Sequence, residues 1–139
     1  MYGVYESFFE EEFSSTFDAM ADVLDRAVKA LIQHDCVPAD RESCARLCME
    51  EALANAVEHG NRADPARKVR VQLAAEGETC RIRVYDEGNG FRPEKVKDPE
   101  PEQLGGRGIC LIRHYMEDVE YLADEHCLQM TLPCTPVGS

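Results

Sequence analysis

The chain has 139 residues, 44% of them hydrophobic and 30% charged, which is typical of one soluble globular domain. No apolar run approaches the ~20 residues of a membrane span, and the acidic amino terminus lacks the basic and apolar regions of a signal peptide, so we expect a cytoplasmic protein without membrane contact. The net charge of −12 disfavours nucleic acid as a partner, because its phosphate backbone is also negative.

The first half of the chain is predicted to hold one strand and two helices. The aromatic and acidic segment 4–13 is typical of an edge strand. Apolar residues then recur at helical spacing over 16–34, with Ser15 as the predicted N-cap. After a break, Asp40 is expected to cap a second helix that continues to about Asn61.

The second half is predicted to be mainly strands. Apolar and polar residues alternate over 69–73 and 80–84, and the proline-rich, charged segment 91–104 is expected to be a lid or a disordered insert. A short helix beginning in GGRGICLIRHYM and two final strands complete the order β-α-α-β-β-lid-α-β-β. This order predicts one domain over 1–139, an α/β two-layer sandwich with a mostly antiparallel mixed sheet and the helices on one face.

The seven cysteines do not form a recognisable metal-binding pattern. Their number is odd, and no second CxxC-type pair is present, although Cys44 and Cys48 share one face of the second predicted helix. We interpret them as reduced thiols that act as small, half-buried hydrophobes.

The second helix has a polar face that needs an explanation. Glu51, Asn55, Glu58 and His59 lie within an arc of about 100° at 3.6 residues per turn. Most polar helix faces are simply solvated, and this remains one interpretation. Against it, asparagine is unfavourable in the middle of a helix, and Cys48 shares the same arc.

Asp86 is the candidate site residue in the strand that follows. Alternation places its carboxylate on the inward face, where a buried acid needs N–H partners. The alternative is an acid that begins a turn, with Gly88 and Gly90 as turn glycines.

A glycine cluster precedes the third predicted helix. Gly105, Gly106 and Gly108 would let a phosphate approach the free N–H groups at the helix start, and Arg107 adds a cation. The alternative is a flexible joint at the end of a lid that spans about 91–106.

In combination and in this order, the motifs resemble those of the Bergerat-fold ATPases, the superfamily of gyrase and histidine-kinase catalytic domains. Glu51 and Asn55 match its N box; the first glycine box corresponds to Asp86, Gly88 and Gly90, and the second to Gly106 and Gly108. The segments EEALANAVEHGN and GGRGICLIRHYMEDVEY look like those of anti-sigma-factor serine kinases of the RsbW and SpoIIAB type.

The resemblance implies that the chain binds ATP or ADP with Mg²⁺. In this interpretation Asp86 accepts a hydrogen bond from the adenine amino group, Asn55 holds Mg²⁺, and Glu51 is the general base. His59 is implied to support the phosphate side. The family often has Gly-Thr just before its last strand, whereas Cys127 and Leu128 stand in that region here.

The implied function is that of a serine/threonine kinase that acts as an anti-sigma factor. The implied partners are an anti-anti-sigma STAS-domain protein, a sigma factor and a second copy of the chain in a homodimer. Two alternatives stay open: a nucleotide-gated binding protein with little or no kinase activity, and an acidic interaction domain that does not bind ATP.

Overall fold

The structure, a computed structural model, describes residues 4–37, 41–77, 79–87 and 118–133. The elements in these ranges are β1 (Glu6–Ser14), α1 (Phe17–Gln33), α2 (Glu42–Asn55), β2 (Lys68–Glu76), β3 (Thr79–Tyr85), β4 (Asp118–Leu122) and β5 (Cys127–Pro133). A π-helical turn, Ala56–Gly60, continues α2, and a short 3-10 turn, Ala123–Glu125, joins β4 to β5. The predicted lid and third helix lie outside the described residues.

The five strands form one sheet in the order β1-β2-β3-β5-β4. β1 lies at an edge, as predicted, and every strand pair in the described ranges is antiparallel, so the expected mixed character is not found there. The register aligns Leu73 with Ile82 and Ile82 with Met130, which puts a continuous apolar row on the inner face of three strands.

Both helices contribute to one hydrophobic core with the inner face of the sheet. The predicted apolar arc of α2 and its continuation is buried throughout: Ala45, Met49, Ala52, Leu53, Ala56, Val57 and Gly60. The alternating residues of β2 and β3, including Val71 and Val84, are also buried. The two-layer α/β sandwich predicted from the sequence is therefore confirmed.

The N-cap prediction for α1 was wrong by one residue. Thr16 is the N-cap, and its side-chain oxygen accepts a hydrogen bond from the backbone N–H of Ala19. Ser15 is buried instead, and its hydroxyl donates to the backbone carbonyl of Arg67 at 2.9 Å. Ser15 thus joins the end of β1 to the segment that leads into β2.

α2 also differs from the prediction at both ends. Asp40 lies outside the described residues, while the N-cap position is Arg41, which makes no side-chain capping bond. The α-helical hydrogen-bond pattern ends at Asn55 rather than Asn61, because the next five residues form the π-helical turn. Such turns are rare and are often found at functional sites.

No disulfide joins the five cysteines in the described ranges to one another, and four of them are fully buried: Cys36, Cys48, Cys80 and Cys127. Burial raises the pKa of the Cys48 thiol to about 11 and that of Cys127 to about 11, so both are protonated at neutral pH. These five cysteines agree with the interpretation of the cysteines as small hydrophobes, although four are fully buried rather than half-buried as expected; Cys110 and Cys134 lie outside the described residues. Neither α1 nor α2 is long and apolar enough to cross a membrane.

Candidate functional site

A cleft opens between the end of α2 and the inner face of the sheet. Its lining comprises Ala52, Asn55, Ala56, Val84, Asp86, Tyr121 and Leu128. The two polar residues that the sequence singled out on separate elements therefore meet in one place. The described residues enclose only a small pocket here, and its lining is mostly apolar apart from these two polar groups.

Asn55 is the last residue of α2 and is only 4% exposed. Its Nδ2 atom is buried without a hydrogen-bond partner in the described part of the chain. An unsatisfied buried amide costs about 1–3 kcal/mol, so a purely structural helix would be more stable without it. Rotation of the amide by half a turn exchanges its nitrogen and oxygen, so the side chain is able to present either a donor or an acceptor to a ligand.

Asp86 follows β3 and is 8% exposed, which confirms the predicted inward orientation. Its backbone N–H donates to the carbonyl of His126 at 2.9 Å, so the residue is tied to the loop that enters β5. Its carboxyl group packs against the backbone of Gly60 so closely that a Cβ at position 60 would lie 2.5 Å from Cγ and 2.6 Å from Oδ2. Glycine is therefore required where the π-helical turn meets the carboxylate.

Glu51 precedes Asn55 by one helical turn and is half-buried. Burial raises the pKa of its carboxyl group above the ordinary value, and the neighbouring charges of Glu50 and Glu58 act in the same direction. A carboxylate with a raised pKa accepts a proton more readily than an ordinary glutamate. Glu51 thus lies one helical turn before Asn55, but it is not among the residues that line the cleft.

Several predicted site residues lie beyond what the structure describes. His59 belongs to the π-helical turn by its backbone, but its side chain is outside the described set. The glycine-box residues are outside it entirely: Gly88, Gly90, Gly105, Gly106, Arg107 and Gly108. Their roles remain predictions.

Sequence reasoning missed several residues that shape the site. Gly60 carried a visible signal, because a glycine directly after a helix often marks a close approach. Tyr121 reaches the cleft only through the order of the last two strands, whereas Leu128 had already been noted where the family often has Gly-Thr. His126 adopts a left-handed conformation, with φ of 52°, just before β5, which its residue type does not reveal.

Cys127 and Leu128, which stand where the family often has Gly-Thr, are the first two residues of β5 and face opposite sides of the sheet. Leu128 lines the cleft, whereas Cys127 is fully buried and lies opposite Tyr85 on the other side of the strand. The cleft wall at this point is therefore apolar.

Within the described ranges, no group of three or more histidine, cysteine, aspartate or glutamate side chains is placed to hold a metal ion. Mg²⁺ needs fewer protein ligands than Zn²⁺, since it is commonly held by one or two protein ligands together with substrate phosphates and water. The amide of Asn55 fits that kind of binding, while the cleft offers no dedicated protein cage.

Curated proteins from bacteria share part of this sequence. It is 30% identical over 77 residues to the anti-sigma F factor of Anoxybacillus flavithermus (strain DSM 21510 / WK1), a match covering 51% of this chain and 53% of that protein. It is 28% identical over 90 residues to the serine-protein kinase RsbW of Listeria monocytogenes serotype 4a (strain HCC23), covering 58% and 57% respectively. The chain thus spans little more than half the length of these curated relatives.

One solved structure supports the fold. The histidine kinase domain from the Erythrobacter litoralis EL346 blue-light activated histidine kinase superposes with a TM-score of 0.50 at 23% identity, covering 83% of this chain and 61% of that one. The sequence profile described as a histidine kinase-like ATPase domain matches residues 13–132, which include both helices, β2, β3 and β4 in full, β5 except its last residue, and only the last two residues of β1. The chain therefore belongs to the histidine kinase-like ATPase domain family.

Proposed function

We propose that this chain is a cytoplasmic, ATP-binding serine/threonine protein kinase that acts as an anti-sigma factor. Its substrate would be a serine of an anti-anti-sigma STAS-domain protein, with Mg-ATP as phosphoryl donor. The observation that carries the proposal is the meeting of Asn55 and Asp86 in one cleft, with Glu51 one turn away. The names of the curated relatives, anti-sigma F factor and RsbW kinase, support the same function.

In the proposed site each residue has a separate task. The buried carboxylate of Asp86 accepts a hydrogen bond from the adenine amino group, and the apolar wall formed by Val84 and Leu128 packs against the base. Asn55 turns its amide oxygen toward Mg²⁺. When bound, the cation neutralises phosphate charge and aligns the transferred group.

Glu51 would act on the incoming serine of the partner. As the serine oxygen forms its bond to the γ-phosphorus, the bond from that phosphorus to the bridging oxygen of ADP breaks, and the serine proton passes to the Glu51 carboxylate. The raised pKa of Glu51 supports this role, because it brings the acceptor nearer to the operating pH. The glycine cluster with Arg107 is expected to bind the phosphates from the other side.

The test is incubation of the purified chain with labelled Mg-ATP and its cognate STAS-domain protein. The kinase function predicts phosphoserine on the partner, loss of transfer in Glu51→Ala, and retention of ATP binding by that variant. Binding of ATP without phosphoserine would favour the nucleotide-gated regulator. Absence of any ATP-induced thermal shift in the wild type would refute both.

A further inference from the structure

We propose that Asn61 is a positioning residue that locks the Asp86 carboxylate in place for recognition of the base. The inference rests on the proposed ATP site, but it concerns a residue that touches neither the nucleotide nor the reacting atoms. It is carried by a buried set of hydrogen bonds at the point where α2, β1, β2 and β3 meet.

Asn61 directly follows the π-helical turn and is completely buried. Its Nδ2 donates to Ser15 Oγ at 2.8 Å and to the backbone carbonyl of Lys68 at 2.9 Å. Its Oδ1 accepts from the backbone N–H of Glu87 at 2.7 Å. Both amide hydrogens and the oxygen are therefore used, which fixes the orientation of the amide.

The bond to Glu87 bears directly on Asp86, its neighbour in the chain. Two consecutive N–H groups after β3 are tied to different elements: that of Asp86 to His126 and that of Glu87 to Asn61. The Glu87 side chain adds a third tie, since its Oε1 accepts from the N–H of Lys68 at 3.0 Å. The peptide that carries the Asp86 carboxylate is thereby held on both sides.

Asn61 also stabilises the π-helical turn, whose last residue, Gly60, contacts the Asp86 carboxyl group. Its backbone N–H donates to the carbonyl of Ala56 at 2.8 Å and so closes the π-helical turn, and Gly60 within this turn packs on the Asp86 carboxyl group. One residue therefore positions both Asp86 and the glycine against which its carboxyl group rests. Loss of the Asn61 side-chain amide would remove one of the three ties on Asp86 and Glu87 and leave the Glu87 N–H without this partner, which costs more than a missing surface contact.

Ser15 provides a matched control. Ser15→Ala removes one partner of Asn61 on the side away from Asp86, while Asn61 keeps its bonds to Lys68 and Glu87. We expect both Ser15→Ala and Asn61→Ala to lower the melting temperature. Only Asn61→Ala is expected to disturb recognition of the base.

The experiment measures the affinity of the full chain for ATP and for inosine triphosphate, which carries an oxygen in place of the adenine amino group. The ratio of the two dissociation constants does not depend on the folded fraction. We expect Asn61→Ala to reduce the wild-type preference for ATP by about tenfold, as for loss of one hydrogen bond to a charged group. We expect Ser15→Ala to keep the wild-type ratio.

Equal ratios in Asn61→Ala and the wild type would overturn the inference while leaving the ATP site intact. A wild type that binds neither nucleotide would overturn the proposed function as well. If Asn61→Ala does not fold, amide hydrogen exchange in the wild type decides: ATP should slow exchange at Asp86 and Glu87 more than at Ala66, whose N–H is bonded to Asp64 outside the cleft. Unchanged exchange at Asp86 and Glu87 would refute the role of Asn61.

Discussion

Gly60→Ala gives the sharpest test of the site geometry. A Cβ at position 60 would lie 2.5 Å from Asp86 Cγ, whereas ordinary contact begins at 3.4 Å. The carboxyl group must therefore retreat by the difference, about 0.9 Å, if the backbone holds its place. A hydrogen bond of ~2.9 Å from the adenine amino group would stretch to ~3.8 Å, beyond the range in which it contributes.

The expected cost follows from the charge on Asp86. A hydrogen bond to a charged group contributes about 1.5–3 kcal/mol, which corresponds to a loss of ATP affinity of roughly 10- to 100-fold. Isothermal titration with Mg-ATP measures the change. The preference for ATP over inosine triphosphate should fall together with the ATP affinity, because the lost hydrogen bond is the one to the adenine amino group.

Gly77→Ala is the matched control for this substitution. Gly77 lies between β2 and β3 with φ of 59° and has nothing within 4 Å of an added Cβ. Alanine there is expected to cost about 1–2 kcal/mol of stability through left-handed backbone strain, without a change in ATP affinity. Wild-type ATP affinity in Gly60→Ala, combined with a clear loss in Asp86→Asn, would refute the proposed contact between glycine and carboxylate.

Three further substitutions test separate parts of the structure. Glu51→Gln should abolish phosphotransfer. At a pH well above ~4.3 it should also raise the melting temperature, because the raised pKa of Glu51 makes its ionised form less favourable in the folded chain. Below that pH the gain in melting temperature should vanish. Asn55→Ala should abolish the Mg²⁺-dependent part of ATP affinity, measured with and without a chelator. It should raise the melting temperature rather than lower it, because Nδ2 has no partner among the described residues. Ala63→Gly should stabilise the chain by up to about 1 kcal/mol in urea unfolding, because glycine relieves the strain of φ at 55° and its own entropy cost is smaller.

The parts of the fold that follow from local patterns were predictable. Helical spacing gave α1 to within one residue at each end, and alternation gave β2 and β3 together with the inward orientation of Asp86. These features depend on which face of an element is apolar, and the sequence contains that information directly.

The errors occurred where a tertiary contact competes with a local preference. Ser15 precedes a helix and is a good capping residue, but Asn61 and Arg67 engage its hydroxyl and the cap passes to Thr16. The π-helical turn likewise has no local sequence signature. The reason for the turn is visible only in the tertiary structure, where its last residue, Gly60, contacts the Asp86 carboxyl group.

The distribution of buried polar residues in the described ranges is what the proposed binding site would require. In the described ranges the buried polar residues are Ser15, Asn55, Asn61, Asp86 and Thr131. Asn61 and Ser15 satisfy each other, and their network ends on the N–H of Glu87, next to Asp86. Asn55, which shares a pocket with Asp86, has in contrast no partner for its Nδ2 among the described residues, at a cost that an apolar residue would avoid. A rigid, fully bonded support next to an unsatisfied amide is the arrangement expected when the missing partner is a ligand.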